Sequence, residues 1–223
     1  MPASTTTATS ARIVWGVGTS RTIRPHWALA ELGLDYEVRP ILPRTGETQT
    51  PEYTRLNARQ KVPLLQDGDL TLTESAAIIA YLSDRYGTPA NALLPADPIG
   101  RAQCLEWCFF VISELDATSL YVMRRHKDLA HIYGEAPVAN EAASVYFGKQ
   151  MRSVERALAD GRPYLLGDRF GAADILLSTC VTWAVRYGVP VPDVALALNA
   201  RATARPAFLV AQQRNQPVDT AKT

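Results

Sequence analysis

Residues 60–86, QKVPLLQDGDLTLTESAAIIAYLSDRY, carry three structural signals in a row. Pro63 stands at the head of an apolar run, the one place in a strand where its missing N–H costs least. Asp67-Gly68 then separates Leu64-Leu65 from the alternating Leu70-Thr71-Leu72-Thr73, which is the pattern of a hairpin. A helix follows from Thr73-Glu74-Ser75, with Ala77, Ile78, Tyr81 and Leu82 on its apolar face. Two features suit a small anionic ligand. A cis Val62-Pro63 bond in a tight bend turns the Val62 N–H and C=O outward, toward a short extended peptide. A helix N-terminus bearing Ser75 receives a carboxylate, with Glu74 beside it for an ammonium.

Outward from this stretch the periodicities alternate and then settle. Ile13-Val14-Trp15 reads as a buried strand. The sequence SRTIRPHWALAELG, residues 20–33, reads as a helix closed by Gly33, and residues 35–41 read as a second strand. A right-handed β-α-β crossover makes those two strands parallel. A short helix is expected near residues 51–56. Residues 87–98, GTPANALLPADP, break the pattern with three prolines and read as a linker. From Ile99 no strand signal survives. Long helices are predicted over 101–127 and 137–159, a helix buried on nearly all sides over 172–187, and a last helix from Pro206. The expected organisation is a disordered tail (1–10), an α/β domain (11–86), a linker (87–98) and an all-helical domain (99–223).

Composition narrows the function classes. Twenty-three Lys and Arg against twenty-two Asp and Glu over 223 residues give no basic field for nucleic acid. No apolar run approaches the ~20 residues that cross a bilayer, so no membrane role is expected. Residues 1–12 lack the apolar core of a secretion signal, and the expected location is the cytoplasm. Cys104, Cys108 and Cys180 have neither disulfide nor zinc spacing and read as packed thiols. His26, His126 and His131 lack metal-ligand spacing and read as structural or solvated; no metal is expected. Trp107 and Trp183 read as core residues.

KVP, DG and TES occur here in an order and spacing that resemble the glutathione site of glutathione transferases. RPYLLGDRFGAADILL, ARATARPA and ELGLDYE resemble signatures of the same family. The resemblance implies a thioredoxin-like N-terminal domain followed by an all-α domain, a homodimer, a role in detoxification, and glutathione as co-substrate. It further implies that Val62 and Pro63 clamp the cysteinyl backbone, that Glu74 and Ser75 hold the γ-glutamyl end, and that Lys61 reaches the glycyl carboxylate. A small-molecule electrophile is then expected between the domains, on apolar positions of the helix over 99–127. Two positions depart from the family. Gln60 stands where glycine is frequent, and Gly171 replaces the usual Ser or Thr helix cap, leaving Asp174 able to accept the Gly171 N–H.

Glutathione attacks as a thiolate, and lowering a thiol pKa from about 8.5 by two units requires roughly 2.7 kcal/mol. One hydroxyl donor supplies about 1.5–3 kcal/mol, with a helix dipole adding to it. Between the first strand and helix the candidates are Thr19, Ser20 and Thr22. Pro25 is tolerated only among the first four helical N–H positions, which sets the helix start no earlier than a Thr22 cap and leaves Ser20 free. The serine classes of the family carry their catalytic serine four residues before an arginine, the spacing of Ser20 and Arg24. The resemblance thus implies transfer of glutathione to an electrophilic carbon. A glutathione-dependent isomerase, dehalogenase, etherase or peroxidase is the alternative, as is a non-catalytic binding protein; TSRTIR in place of an SSCSWR-like loop ranks the isomerase lower.

Overall fold

The computed structural model describes residues 12–217, so the expected tail, residues 1–10, lies outside the described residues. Four strands, β1 (Ile13–Trp15), β2 (Glu37–Arg39), β3 (Leu64–Asp67) and β4 (Leu70–Thr73), form one sheet in the order β2-β1-β3-β4. β1 runs parallel to β2, with Val14 opposite Val38, and antiparallel to β3, with Val14 opposite Leu65. This is a thioredoxin-like sheet. Between β1 and β2 lies α1 (Ile23–Glu31). It ends as its sequence foretells: Gly33 turns left-handed at φ +66°, its N–H reaches Ala30 O, and Leu34 N–H reaches Leu29 O. Those two bonds satisfy carbonyls that a helix end otherwise leaves orphaned.

The hairpin forms one residue later than the Asp67-Gly68 signal suggests. Asp67 pairs with Leu70, so the two-residue loop is Gly68-Asp69. Gly68 has φ +61° while Asp69 is not left-handed, the arrangement of a type II′ loop, which needs its glycine first. Before it comes α2 (Pro51–Leu56), capped by the Thr50 hydroxyl, and after it α3 (Ser75–Tyr86). On α3 the buried residues are Ser75, Ile78, Ile79, Leu82 and Ser83, whereas Ala77 is exposed. The i, i+3, i+4, i+7, i+8 stripe through Ile78 and Ile79 leaves no room on the inner face for a residue two positions after Ser75.

The second half is all helix. α4 (Pro98–Phe110) starts at Asp97, whose carboxylate accepts Gly100 N–H at 2.7 Å, and runs through a π-helical stretch, Val111–Leu120, into α5 (Tyr121–His126). Then follow α6 (Ala130–Tyr133), α7 (Pro137–Ala157), α8 (Ala172–Arg186), α9 (Asp193–Thr203) and α10 (Pro206–Arg214). Twelve of the fifteen residues of α8 are buried, as an all-round apolar helix requires. All three cysteines are buried free thiols. Among the described residues no helix is long and apolar enough to cross a membrane.

Residues 87–97 are irregular, and Leu93 and Leu94 anchor them in the core. Ser83 Oγ accepts both Leu93 N–H (2.9 Å) and Leu94 N–H (3.0 Å), and Leu93 O accepts Ala172 N–H at 2.8 Å. A Cβ on Gly171 would lie 2.8 Å from Leu93 O, so this close approach requires glycine. Asp174 still accepts the Gly171 N–H (2.9 Å) and also Leu165 N–H (2.9 Å). Burial pushes its carboxyl up to about 6. Buried apolar residues from both halves join in one continuous cluster.

Candidate active site

The loop before β3 is fixed from beneath. Tyr53 Oη and Asn57 Nδ2 both donate to Lys61 O, at 2.6 and 2.8 Å, so the peptide entering Val62 cannot swing. Gln60 sits at φ +53°, a left-handed conformation that glycine adopts freely. The Val62–Pro63 bond is cis. Among the described residues neither the N–H nor the C=O of Val62 makes a backbone hydrogen bond. Gly16 backs this corner at φ +106°; a Cβ there would fall 2.5 Å from Val62 Cβ. Across the cleft Glu74, at φ +68°, starts α3, and Ser75 follows it, buried, with its Oγ accepting from Arg24 Nη1 at 3.3 Å.

Lys61, Val62, Pro63, Glu74 and Ser75 are brought together on the wall of one cavity of about 300 Å³. A second cavity of about 230 Å³ shares Lys61 and Val62 and extends past Thr19 and Arg44 to Tyr121 and Arg124. Val62 therefore stands between two compartments. Arg44, Gln60 and Glu74 are the non-glycine residues with left-handed φ among those described, and all three line these cavities. Strained backbone of this kind concentrates at binding sites.

At the β1–α1 turn α1 begins at Ile23, as Pro25 dictates, but Thr22 does not cap it with its side chain. Thr22 has helical φ and ψ, whereas a side-chain cap needs extended backbone. Instead Thr19 Oγ1 accepts Thr22 N–H (3.0 Å) and Arg21 N–H (3.2 Å), while Thr22 Oγ1 accepts Thr19 N–H (2.9 Å). The Thr22 hydroxyl also donates to Asn215 Oδ1 at 2.7 Å, and Gly18 N–H donates to Asn215 O at 2.8 Å. Asn215, just beyond α10, thus buttresses the turn, a contact with no local sequence signal. Ser20 is half-buried, its hydroxyl makes no hydrogen bond among the described residues, and it lines neither cavity; Thr19 lines the second.

Comparison with known proteins places this geometry. Residues 10–84 match the family model described as glutathione S-transferase, N-terminal domain, and residues 137–208 that for its C-terminal domain. Maleylacetoacetate isomerase of Pseudomonas aeruginosa is 34% identical over 200 residues, 85% of this chain and 90% of the relative. The chain belongs to the glutathione transferase family. A glutathione S-transferase of Triticum aestivum is 30% identical over 217 residues, 94% of this chain and 97% of the relative. Among solved structures, the theta class glutathione S-transferase from Xanthomonas axonopodis pv. citri, with glutathione bound, superposes with a TM-score of 0.76 at 29% identity, covering 94% of this chain and 99% of that one.

The two halves are joined beneath the site by a buried charge cluster. Arg24, fully buried, donates to Asp116 Oδ2 (2.7 Å) and Thr179 Oγ1 (2.8 Å), and Arg21 donates to Asp116 Oδ1 at 2.6 Å. Burial pushes the Asp116 carboxyl up, but the Arg24 and Arg21 guanidiniums outweigh it and hold it below the usual range. Asp116 lies within the π-helical stretch of the long helix, where such distortions often mark functional sites. His26 is buried between Tyr36 and Gly16 O, and burial brings it down to about 4, so it is a neutral packing residue. Trp107 and Trp183 line neither compartment. The second cavity's lining includes Arg21, Arg44, Arg59, Lys61 and Arg124, and no Asp or Glu, whereas Ile112 and Ala117, apolar positions of the long helix, line the first. Of the long helix, Tyr121 and Arg124 of α5 line the second cavity, and its other cations arrive from three loops.

Proposed function

We propose that the protein presents glutathione as a thiolate to an electrophilic carbon, forming an S–C bond. The observation that carries this reading is the unpartnered Val62 backbone, set between the α3 N-terminus and the Thr19–Ser20 turn. A tripeptide whose cysteinyl amide pairs with Val62 would lay its γ-glutamyl end on Glu74 and Ser75 and its glycyl carboxylate on Lys61. Ser20, with the one uncommitted hydroxyl of the turn, donates to the sulfur. Thr19 is the rival donor because it lines the compartment. The electrophile is a small molecule, and the working unit is a homodimer in the cytoplasm serving detoxification. A second reading, isomerisation, is favoured by the name of the Pseudomonas aeruginosa relative: the thiolate would add to a C=C bond, the adduct would rotate about the carbon–carbon bond thereby made single, and expulsion of the thiolate would restore the double bond and return glutathione.

Glutathione binding by calorimetry, followed by ultraviolet titration of the bound thiolate, tests the proposal. Ser20→Ala is expected to raise the bound thiol pKa by about 1–2 units, the equivalent of one charge-assisted hydrogen bond, with affinity nearly unchanged. A shift in Thr19→Ala alone reassigns the donor. No binding at millimolar glutathione would favour a non-catalytic, partner-binding protein. Mass spectrometry of the products separates a stable adduct from a rearranged acceptor with glutathione returned.

A further inference from the structure

The two compartments together are lined by six cations, Arg21, Arg24, Arg44, Arg59, Lys61 and Arg124, and by two carboxylates, Asp116 and Glu74. Asp116 is shared by Arg21 and Arg24, and Glu74 pairs with Arg59 at 3.0 Å. Glutathione in its thiolate form brings a net two negative charges, counting two carboxylates, one ammonium and the sulfur. Two positive charges remain uncompensated, and they fall on the side away from Ser75. Arg124 makes no salt bridge among the described residues, Asp128 acting on it only at longer range; its Nε is buried without any hydrogen bond, and its guanidinium lies 5.9 Å from the buried Trp183 ring. Arg44, itself at φ +69°, reaches the same wall and donates to Tyr121 Oη at 2.8 Å, while Arg21 stacks on the Tyr121 ring at 4.2 Å. Burial and the neighbouring Arg44 charge hold Arg124 below the usual arginine range. Arg44 is solvent-exposed, so the cost falls on Arg124, whose buried donor without a partner beside a second positive charge favours an anion in the compartment.

Resting on the glutathione reading above, we infer that the second compartment takes an electrophile carrying a carboxylate, held by Arg124 and Arg44 with the reactive carbon toward the thiolate. A planar carboxylate matches the guanidinium fork, so these arginines select the acceptor rather than merely attract it.

The test uses two enones that differ far from the reacting carbon: 4-phenyl-3-buten-2-one and its para-carboxylate, each rate corrected for the uncatalysed addition of glutathione. The wild-type protein is expected to favour the carboxylate in kcat/KM by about tenfold, and Arg124→Met or Arg44→Met to cut that preference by about tenfold each. Arg124→Lys should retain part of it, and unchanged thermal transitions would exclude loss of folding. A preference at or below unity in the wild type, or one that both methionine variants leave intact, overturns the inference. Should neither enone react, the saturated carboxylate, 4-(4-carboxyphenyl)butan-2-one, is titrated by tryptophan fluorescence in the presence and absence of glutathione. Saturable binding weakened by Arg124→Met supports the anion site even if glutathione fails to bind, which would sink only the underlying reading. No binding of that probe overturns the site itself.

Discussion

Replacing Asp116 by Asn tests whether the buried charge cluster holds the two halves together. The change keeps the side-chain shape but leaves Arg24, fully buried, with no anion; its remaining partners are Thr179 Oγ1, Ser75 Oγ and Cys180 Sγ at 2.8, 3.3 and 3.4 Å. Breaking one side of a buried pair costs about 3–5 kcal/mol, and the acceptor oxygen kept by Asn puts the expectation near 3. Arg21 adds little to that figure, because its side chain is 30% exposed and water replaces part of the lost attraction. Urea unfolding followed by far-ultraviolet circular dichroism should show the midpoint falling by about 1 M for a slope of about 3 kcal/mol/M. The double variant Arg24→Met with Asp116→Leu should be milder than Asp116→Asn, since the one charge it leaves unpaired, Arg21, is 30% exposed to water. Glutathione affinity should fall several-fold in Asp116→Asn, because Arg24 also donates to Ser75. A loss below 1 kcal/mol with an unchanged slope would show that Arg24 finds solvent, and the argument from burial would fail.

Three other outcomes follow from the same geometry. Gly171→Ser, which restores the family's usual cap, should lower Tm by about 3–6 °C, because a Cβ 2.8 Å from Leu93 O costs more than the extra cap bond contributes; a raised Tm in scanning calorimetry would refute this. Gly16→Ala should destabilise by about 3 kcal/mol and weaken glutathione binding in calorimetry, since its Cβ would displace Val62; an unchanged Kd counts against the Val62 clamp. His26, brought down to about 4 by burial, binds its proton in the unfolded chain from about pH 6.5, so its share of stability is complete above 6.5 and is lost as pH falls toward 4. Asp174, pushed up to about 6, acts oppositely over pH 6 to 3.8 and masks much of that loss. His26→Gln should therefore gain stability relative to wild type by about 3 kcal/mol between pH 6.5 and 4, read from urea midpoints; parallel pH profiles would contradict the assignment.

The parts of this protein legible in its sequence are those written by neighbouring residues. Gly33, the Leu70–Thr73 alternation, Glu74-Ser75 and Pro206 each act within a few positions, and the structure places each where its local chemistry requires. The hairpin loop slipped by one residue because Asp67-Gly68 and Gly68-Asp69 are both plausible turn pairs, and only the register with β4 chooses between them. Asp116 stayed hidden because its partners, Arg21 and Arg24, lie more than ninety positions away and no helical repeat marks a π-helical stretch. The Asn215 buttress and the cationic second compartment were hidden for the same reason. Arg44 and Arg124 look like ordinary solvated arginines until the fold sets both beside Tyr121. In the sequence Gly171 shows only as a replaced cap, whereas the close approach of Leu93 O makes it a steric necessity.

Leu93 has one more implication. A joint between two lobes can flex only where peptide groups are left free to exchange partners, and here the joint spends its amide on Ser83 and its carbonyl on Ala172, with no space left beside Gly171. The lobes are therefore welded rather than hinged. On the glutathione reading, a reactant would enter the compartment lined by Arg44, Tyr121 and Tyr133, and its admission would be governed by rearrangement of a few side chains, not by the opening of one lobe from the other.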